Sequence, residues 1–455
     1  MLDLIPDHRQ GAHTHEHATS HVHEGMPKMP LWLSVEEALG RILSYVPVLE
    51  AKETPLLSAL GRVLAEDVLS IFDVPPLANT SMDGYAVQHG SVRGASRDRP
   101  ANLRVIGQLA AGYVSSMHVG PGEALRIMTG APIPIGADAV VPFEETDELE
   151  RAALGQRIGD EVRVYRAVSS SENVRPAGED IAKGDLVLKK GTVLRPGEIG
   201  VLASLGKDRV QAIRSPVVAI LATGDELVQP PAPLAPGQIY DSNSSSLAAA
   251  VFRYGGIPRL LGIAKDTLES LEAKVREGTD ADMLITSAGV SRGDYDIVKD
   301  VLMKQGEIAF WTVRMRPARP LAFGALHRRE RDGRVVQVPH LGLPGNPVSA
   351  LVAFEEFARP ALLKMQGRTA WAKPMVQATL EEPIHNEDGR RVYARAFVEK
   401  RDGRFFARLT GPQGSGVLTS LVKANGLAIC PEDVEMKRAG EIVDVQMLDW
   451  QEDQA

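Results

Sequence analysis

From Leu31 onward apolar side chains recur at helical spacing: Val35, Ala38, Leu39, Ile42, Leu43 and Val46 fall on one face, and Ser34 followed three residues later by Glu37 is a capping box. One amphipathic helix is predicted there. Between about 70 and 180 the chain becomes rich in Gly and Pro with short apolar runs, and alternation such as Val162 to Val168 predicts strands of a β-rich module. Residues 181–213 return to mixed character with Gly191 and Gly197 between short elements, so the chain is expected to leave its first module near 70 and re-enter it near 180. The most regular part begins at Ser215. Val217 to Ala222 is a continuous apolar run ending in Thr223-Gly224-Asp225-Glu226, Leu247 to Phe252 continues a helical pattern, and Met283 to Thr286 is a second apolar run ending in a Gly-rich loop. Strand, loop and helix alternate, which predicts a parallel α/β sheet with its ligands at the carboxyl ends of the strands. Beyond about Arg368, the turn signals Glu387-Asp388-Gly389 and Arg401-Asp402-Gly403 separate alternating runs such as Val392 to Val398, the pattern of a small antiparallel β domain. No repeat of fixed period is present.

Length and charge narrow this picture. A chain of 455 residues holds two to four domains at roughly 100–200 residues each and can bury several cores without disulfides or metals. Lys and Arg number 51 against 59 Asp and Glu, a formal charge of −8, which is the wrong sign for a protein that lives on phosphate backbones. An anionic ligand must then be held by a local basic cluster or by helix N-termini. The single cysteine, Cys430, forbids an internal disulfide and suits a reducing compartment. No basic and apolar leader opens the chain, and no apolar run approaches the ~20 residues that span a bilayer, so a cytoplasmic protein is expected. His8, His13, His15, His17, His21 and His23 crowd the start among Gly, Thr, Glu and Ser. With so few apolar side chains, 1–29 is expected to be a disordered tail, and no rigid spacing fixes a metal geometry in it.

Candidate chemistry gathers at the strand ends. Asp225 and Glu226 follow one apolar run; Ala288-Gly289-Val290-Ser291-Arg292-Gly293-Asp294-Tyr295-Asp296 puts two more acids after the next. Hard oxygen donors at a sheet mouth beside a helix N-terminus suit a magnesium-bound phosphate, because the helix end takes the anion and the acids take the metal. A single acid there is an ordinary cap; two clusters in one sheet point to a site. The second loop also fits the G-x-S-x-G nucleophile elbow around Ser291, with His327 or His340 following as a base. Against a hydrolase, no His-Gly oxyanion motif precedes the elbow and the flanking acids have no part in acyl transfer. The required basic cluster lies at 314–334, where seven arginines face only Glu330 and Asp332. Arg328 to Arg334 read as a solvated hairpin tip. Arg316 and Arg319, bracketed by Pro317 and Pro320, sit on a rigid segment entering a strand, where guanidinium groups can grip an oxyanion bidentately. The loop Gly342 to Ser349 places Pro347 at a first helical turn and leaves free amides for another anion. Asn79 to Ala86 and Met128 to Asp138 read as turn-rich segments that spell no mechanism by themselves.

Taken together these segments resemble the MoeA family of molybdopterin molybdenumtransferases, whose vertebrate relative is the C-terminal part of gephyrin. The likeness runs from about Leu31 to the end, with motifs in order: Ser81 to Ala86, Met128 to Pro132, Arg175 to Asp180, Thr223 to Leu227, Gly289 to Gly293 with Asp296, and the intact Gly342 to Ser349 loop. The resemblance implies a multi-domain α/β plus β subunit: a linking domain of 30–70 plus 180–214, a β-rich domain of 71–179, a molybdopterin-binding parallel-sheet α/β domain of 215–364, and a C-terminal β-barrel of 365–455. It also implies a homodimer, in which the β-rich domain of one subunit approaches the α/β domain of the other, and a transient contact with molybdopterin adenylyltransferase. The implied reaction inserts molybdate into the dithiolene of adenylylated molybdopterin, with magnesium-dependent pyrophosphate cleavage that releases AMP. On that reading Glu226, Asp294 and Asp296 hold magnesium and Asp266 is a further acid of the site. Asp83, Thr129 and Asp180 complete it, the first two across the dimer interface. Gly224, Asp225, Gly289, Ser291, Gly293 and Asn346 lie on the substrate-binding loops, Arg316 and Arg319 take molybdate or phosphate oxygens, and Ser349 takes a second anion. The sequence departs from the family at two places. The usual Lys-Pro-Gly-Lys-Pro is Arg316-Pro317-Ala318-Arg319-Pro320, and the first glycine of the usual Gly-Gly-Val-Ser is Ala288. A tungstate-inserting homologue and a non-catalytic molybdopterin-binding scaffold are the alternatives; a pure scaffold has no need of the cleft acids.

Overall fold

The computed structural model describes residues 32–156, 159–288 and 296–449, the last with side chains from Asp300 onward. Ser34 caps the first helix, Val35–Tyr45: its hydroxyl accepts from Glu37 N at 3.1 Å while the Glu37 carboxylate accepts from Ser34 N at 2.8 Å. Such a cap is worth about 1 kcal/mol. The apolar stripe then faces inward, and Val35, Ala38 and Ile42 share one core with Val218, Ile220 and Phe323 of the α/β domain.

Ala51–Pro55 pairs antiparallel with Arg209–Ile213, and Val68–Leu69 with Leu186–Leu188. The segment after the first helix is thus closed by residues far downstream, around a core that includes Leu64, Leu202 and Ala212. Between them lies a five-stranded sheet in the order Ala139–Pro142, Gly84–Val87, Glu123–Ile127, Ala101–Leu109, Glu161–Val164. Its last strand is shorter than the alternation from Val162 to Val168 predicts, because the chain turns off the sheet edge after Val164 and Val168 is buried from a loop.

The central six-stranded sheet has the order Ile257–Ala264, Val217–Thr223, Met283–Ser287, Val335–Leu343, Pro320–Arg329, Gly306–Thr312. The first four strands form the parallel sheet read from the alternation; Pro320–Arg329 runs against both neighbours. A turn at Asp332-Gly333 reverses the chain there without a crossover helix. Helix Ser242–Arg253 packs on the same core as Pro347–Ala353, and Leu268–Gly278 on the other face. Covered on both sides, Val217–Thr223 has to be apolar through Ala222.

Beyond the sheet, Met375–Leu380, Arg391–Arg401, Arg404–Leu409, Gly426–Cys430 and Ile442–Met447 close into a five-stranded barrel, since Arg391–Arg401 pairs with both Arg404–Leu409 and Gly426–Cys430. Small side chains, among them Ala394, Ala396, Ala407 and Ala428, fill its narrow interior. Among the described residues no helix is long and apolar enough to cross a membrane.

Candidate active site

Where the carboxyl ends of the parallel strands meet the barrel, an open cleft of about 1120 Å³ forms. Val217–Thr223 delivers Glu226 to its rim. Gly224 has φ +141°, and a Cβ there would stand 2.5 Å from Glu226 Oε2, so only glycine lets this carboxylate fold back on the strand end. On the neighbouring strand end, Asp266 donates its backbone N–H to Asp225 Oδ1 at 3.3 Å. Burial, and after it the charges of Asp225 and Glu226, raise the pKa of Asp266. Carboxylates crowded in this way favour a cation among them. Magnesium needs only one or two carboxylates besides substrate phosphates, which this donor set fits. Among the described residues no three ligating side chains converge.

The arginines stand on another wall of the same cleft. Arg316 and Arg319 both line it, with Pro317 and Ala318 between them. Ala318 and Ala288 hold φ of 75° and 80°, left-handed values that cost an L-residue roughly 1–2 kcal/mol. These are the two positions where the usual residue is glycine, so the loop shapes persist at a strain glycine would not carry. Arg316 donates from Nη2 to His385 O at 2.9 Å. The Arg319 guanidinium lies 4.7 Å from the centroid of the Trp32 ring, a stack that a lysine could not reproduce. Asn243, also in the cleft wall, donates from Nδ2 to Ser287 Oγ at 2.8 Å and to Gly345 O at 2.7 Å, tying two strand-end loops together. Asn346 precedes the helix Pro347–Ala353 without a side-chain cap, and Ser349 is buried on its first turn; both line the cleft.

The barrel supplies a part of the site that the sequence reading missed. Arg390 and the loop Gln413 to Gly416 line the cleft together with Arg316, whose short strand Met315–Arg316 pairs with the barrel strand at Arg391 and Val392. Val348 N donates to Ser415 O at 3.1 Å, fastening that loop to the helix entry. Behind it Arg395, fully buried, donates from its backbone N to Gln413 Oε1 at 2.8 Å, from Nε to Ser420 Oγ at 3.1 Å and from Nη2 to Gly414 O at 3.2 Å. Burial and then the Arg316 charge bring its pKa down to about 10. The signal was present: Gly411-Pro412-Gln413-Gly414-Ser415-Gly416 is as glycine-dense as any loop used above. Tyr240 and Trp32 were missed as well.

Three of the expected residues lie elsewhere. Asp83 and Thr129 sit together at one end of the five-stranded sheet, where Asp83 Oδ1 accepts from Thr129 N at 2.6 Å and from Thr129 Oγ1 at 2.7 Å. The amide and then the hydroxyl hold the Asp83 carboxyl below its ordinary range. Asp180 is exposed, its backbone N donating to Val74 O at 3.0 Å. None of the three lines the cleft of its own chain. Gly289, Ser291, Gly293 and Asp294 lie outside the described residues, and so does the side chain of Asp296, which opens the helix Asp296–Gln305. The hydrolase reading loses its bases. His340 is fully buried in the sheet, 3.1 Å from Thr286 Oγ1, and burial pushes its pKa down to about 3; His327 is exposed on the hairpin.

Parallel strands whose ends carry acids beside a cleft that also holds arginines form an α/β domain, and residues 219–364 match the probable molybdopterin binding domain. Residues 33–206 match the MoeA N-terminal region (domain I and II) and 377–448 the MoeA C-terminal region (domain IV). The chain belongs to the MoeA family. It is 37% identical over 393 residues to molybdopterin molybdenumtransferase 2 of Mycobacterium tuberculosis, covering 85% of this chain and 92% of that protein. It is 34% identical over 424 residues to the molybdopterin molybdenumtransferase of Bacillus subtilis, covering 91% and 94%. The crystal structure of the molybdopterin biosynthesis MoeA protein from Pyrococcus horikoshii OT3 superimposes with a TM-score of 0.73 at 30% identity, over 91% of this chain and 100% of that one.

Proposed function

We propose that this chain transfers molybdenum from molybdate to the dithiolene of adenylylated molybdopterin, cleaving the pyrophosphate and releasing AMP, as a step of molybdenum cofactor biosynthesis. The observation that carries this reading is the one cleft lined both by Glu226 and by Arg316 and Arg319, in a chain whose relatives are named for that transfer. Anhydride cleavage builds negative charge on the departing phosphate, and magnesium, when bound, supplies positive charge there. Glu226, with Asp294 and Asp296, would hold it. Arg316 and Arg319 orient the oxyanion, and Ser349 with the amides of its helix start takes a second anionic group. Exposed apolar side chains support a homodimer: Leu57 is 82% and Ile71 77% exposed, and Leu69 and Leu186, paired across two strands, also face solvent. In that dimer Asp83 and Thr129 of one subunit complete the cleft of the other.

Release of AMP from adenylylated molybdopterin, followed with molybdate and magnesium each present or omitted, tests the reading. Turnover is expected only with both, and Glu226→Ala is expected to lower it by roughly a hundredfold or more. Unimpaired turnover by Glu226→Ala and Arg316→Ala together would remove the cleft from the reaction.

A further inference from the structure

Most of the cleft wall is polar, charged, glycine or proline, and Tyr240 is the one aromatic side chain among the described residues that line it. Its exposure is 43%, and Ile239 beside it is 56% exposed. Among the described residues the Tyr240 ring packs on no other ring and its hydroxyl has no hydrogen-bond partner. A large flat apolar face left in water inside a polar cleft is a recognition surface rather than a packing element.

The backbone holds that face in place. Ile239 N donates to Glu226 O at 2.9 Å and Asp241 N to Val228 O at 3.0 Å, which pairs Ile239–Tyr240 parallel to Leu227–Val228. Asp241 then caps the helix Ser242–Arg253 through Ser244 N at 3.0 Å. Pro230, Pro231, Pro233 and Pro236 stiffen the intervening loop. The ring therefore rides on the same ladder as the Glu226 carboxylate, and a group stacked on it is registered against whatever phosphate that carboxylate serves.

We propose that Tyr240 is a stacking platform for a planar nitrogen heterocycle of the substrate. The inference rests on the cleft being the site for adenylylated molybdopterin, which carries two such rings, adenine and pterin, on either side of its pyrophosphate. Stacking needs only a π-face, so both share the chemistry that Tyr240 offers, and removal of such a platform weakens binding roughly five- to a hundredfold.

The test compares wild type, Tyr240→Ala and Tyr240→Phe by calorimetric titration with AMP alone and with neopterin alone, and by the KM and kcat of AMP release. Tyr240→Ala is expected to weaken one probe and raise KM by roughly five- to a hundredfold, with kcat and the thermal midpoint held and Tyr240→Phe near wild type. The probe that weakens identifies the ring. Binding of both probes within twofold of wild type, or an unchanged KM, overturns the stacking role while the transferase reading stands. Tyr240-dependent binding in a protein that releases no AMP overturns the transferase reading and leaves the platform intact.

Discussion

Arg319 shows what an arginine does at a position where the family usually has lysine. Its guanidinium carbon lies over the Trp32 ring, 4.7 Å from the centroid, a contact that anchors the group while its N–H donors stay available to an oxyanion. Arg319→Lys keeps the charge and gives up the stack, so the KM for molybdate is expected to rise roughly two- to fivefold, and Trp32→Ala to produce the same rise. Steady-state AMP release by the two variants and the double variant checks this: a double effect no larger than either single one is expected, and simple addition would show that the two side chains act separately. Ala318 is a second local matter, with φ 75° and the methyl buried. The left-handed backbone costs about 1–2 kcal/mol; replacing it by glycine loses about 0.8 kcal/mol of methyl burial and about 0.5–1 kcal/mol of chain entropy. These terms nearly cancel, so Ala318→Gly is expected to leave the thermal midpoint almost unchanged. A branched side chain has no such balance, and Ala318→Val is expected to cost about 2 kcal/mol or more; a valine variant melting with the parent would refute the strain. The sequence showed the positive charge kept at Arg319 and the missing glycines at Ala288 and Ala318. It could not show Trp32, because a stack between residues so far apart in the chain has no local signature.

At the scale of elements, Leu351, Val352, Phe354 and Phe357 follow the Pro347 turn at helical spacing, and the structure puts a π-helical turn, Phe354–Ala358, between Pro347–Ala353 and Arg359–Met365. That wider turn places two consecutive acids in different partnerships. Glu355 accepts from the Tyr254 hydroxyl at 3.0 Å and pairs with Lys373 at 2.9 Å. Glu356 reaches the barrel, accepting from Gln446 Nε2 at 2.6 Å and from the Tyr393 hydroxyl at 3.3 Å. Periodicity cannot reveal such a turn, since what stabilises it is the pair of partners from other elements. Burial raises the Glu356 pKa, Glu355 adds to the rise, and Arg359, Gln446 and Tyr393 oppose it. The folded value lies above the unfolded one, so this group's contribution to stability is complete below the ordinary carboxylate range and is lost as the pH rises through the folded value. Glu356→Gln removes the titration. Its stability relative to the parent is expected to improve as the buffer goes from pH 5 to pH 8, read from denaturant midpoints; a difference independent of pH would mean that the carboxyl is already ionised across that range.

On the scale of the whole molecule, the charge of −8 is unevenly placed: residues 216–364 carry as many basic as acidic groups, with Arg316 and Arg319 in one cleft wall and Asp225, Glu226 and Asp266 at strand ends. That partition, the α/β alternation and the late β domain were legible because each follows from local pattern. The barrel's share of the cleft was not, because Gln413 to Gly416 come to Arg316 through the strand pairing of Met315–Arg316 with Arg391 and Val392, residues far apart in the chain. The same logic extends one level further, to Asp83 and Thr129, which are bonded to each other and stand away from the cleft of their own chain. If they complete the partner's cleft, Asp83→Ala and Glu226→Ala damage different halves of one composite site. Each pure variant is then expected to be inactive in AMP release. In a two-fold dimer, a mixed pair carries one site with both lesions and one with none, so random reassociation of equal amounts should restore about a quarter of wild-type turnover. The measurement is AMP release after co-denaturation and refolding of the two variants, with each refolded alone as the control. Recovery near that level places Asp83 in the neighbouring subunit's reaction. Absence of recovery, with mixed dimers demonstrated by differential tagging, confines every residue that matters to a single chain and leaves the Asp83–Thr129 pair a structural feature of the β-rich sheet.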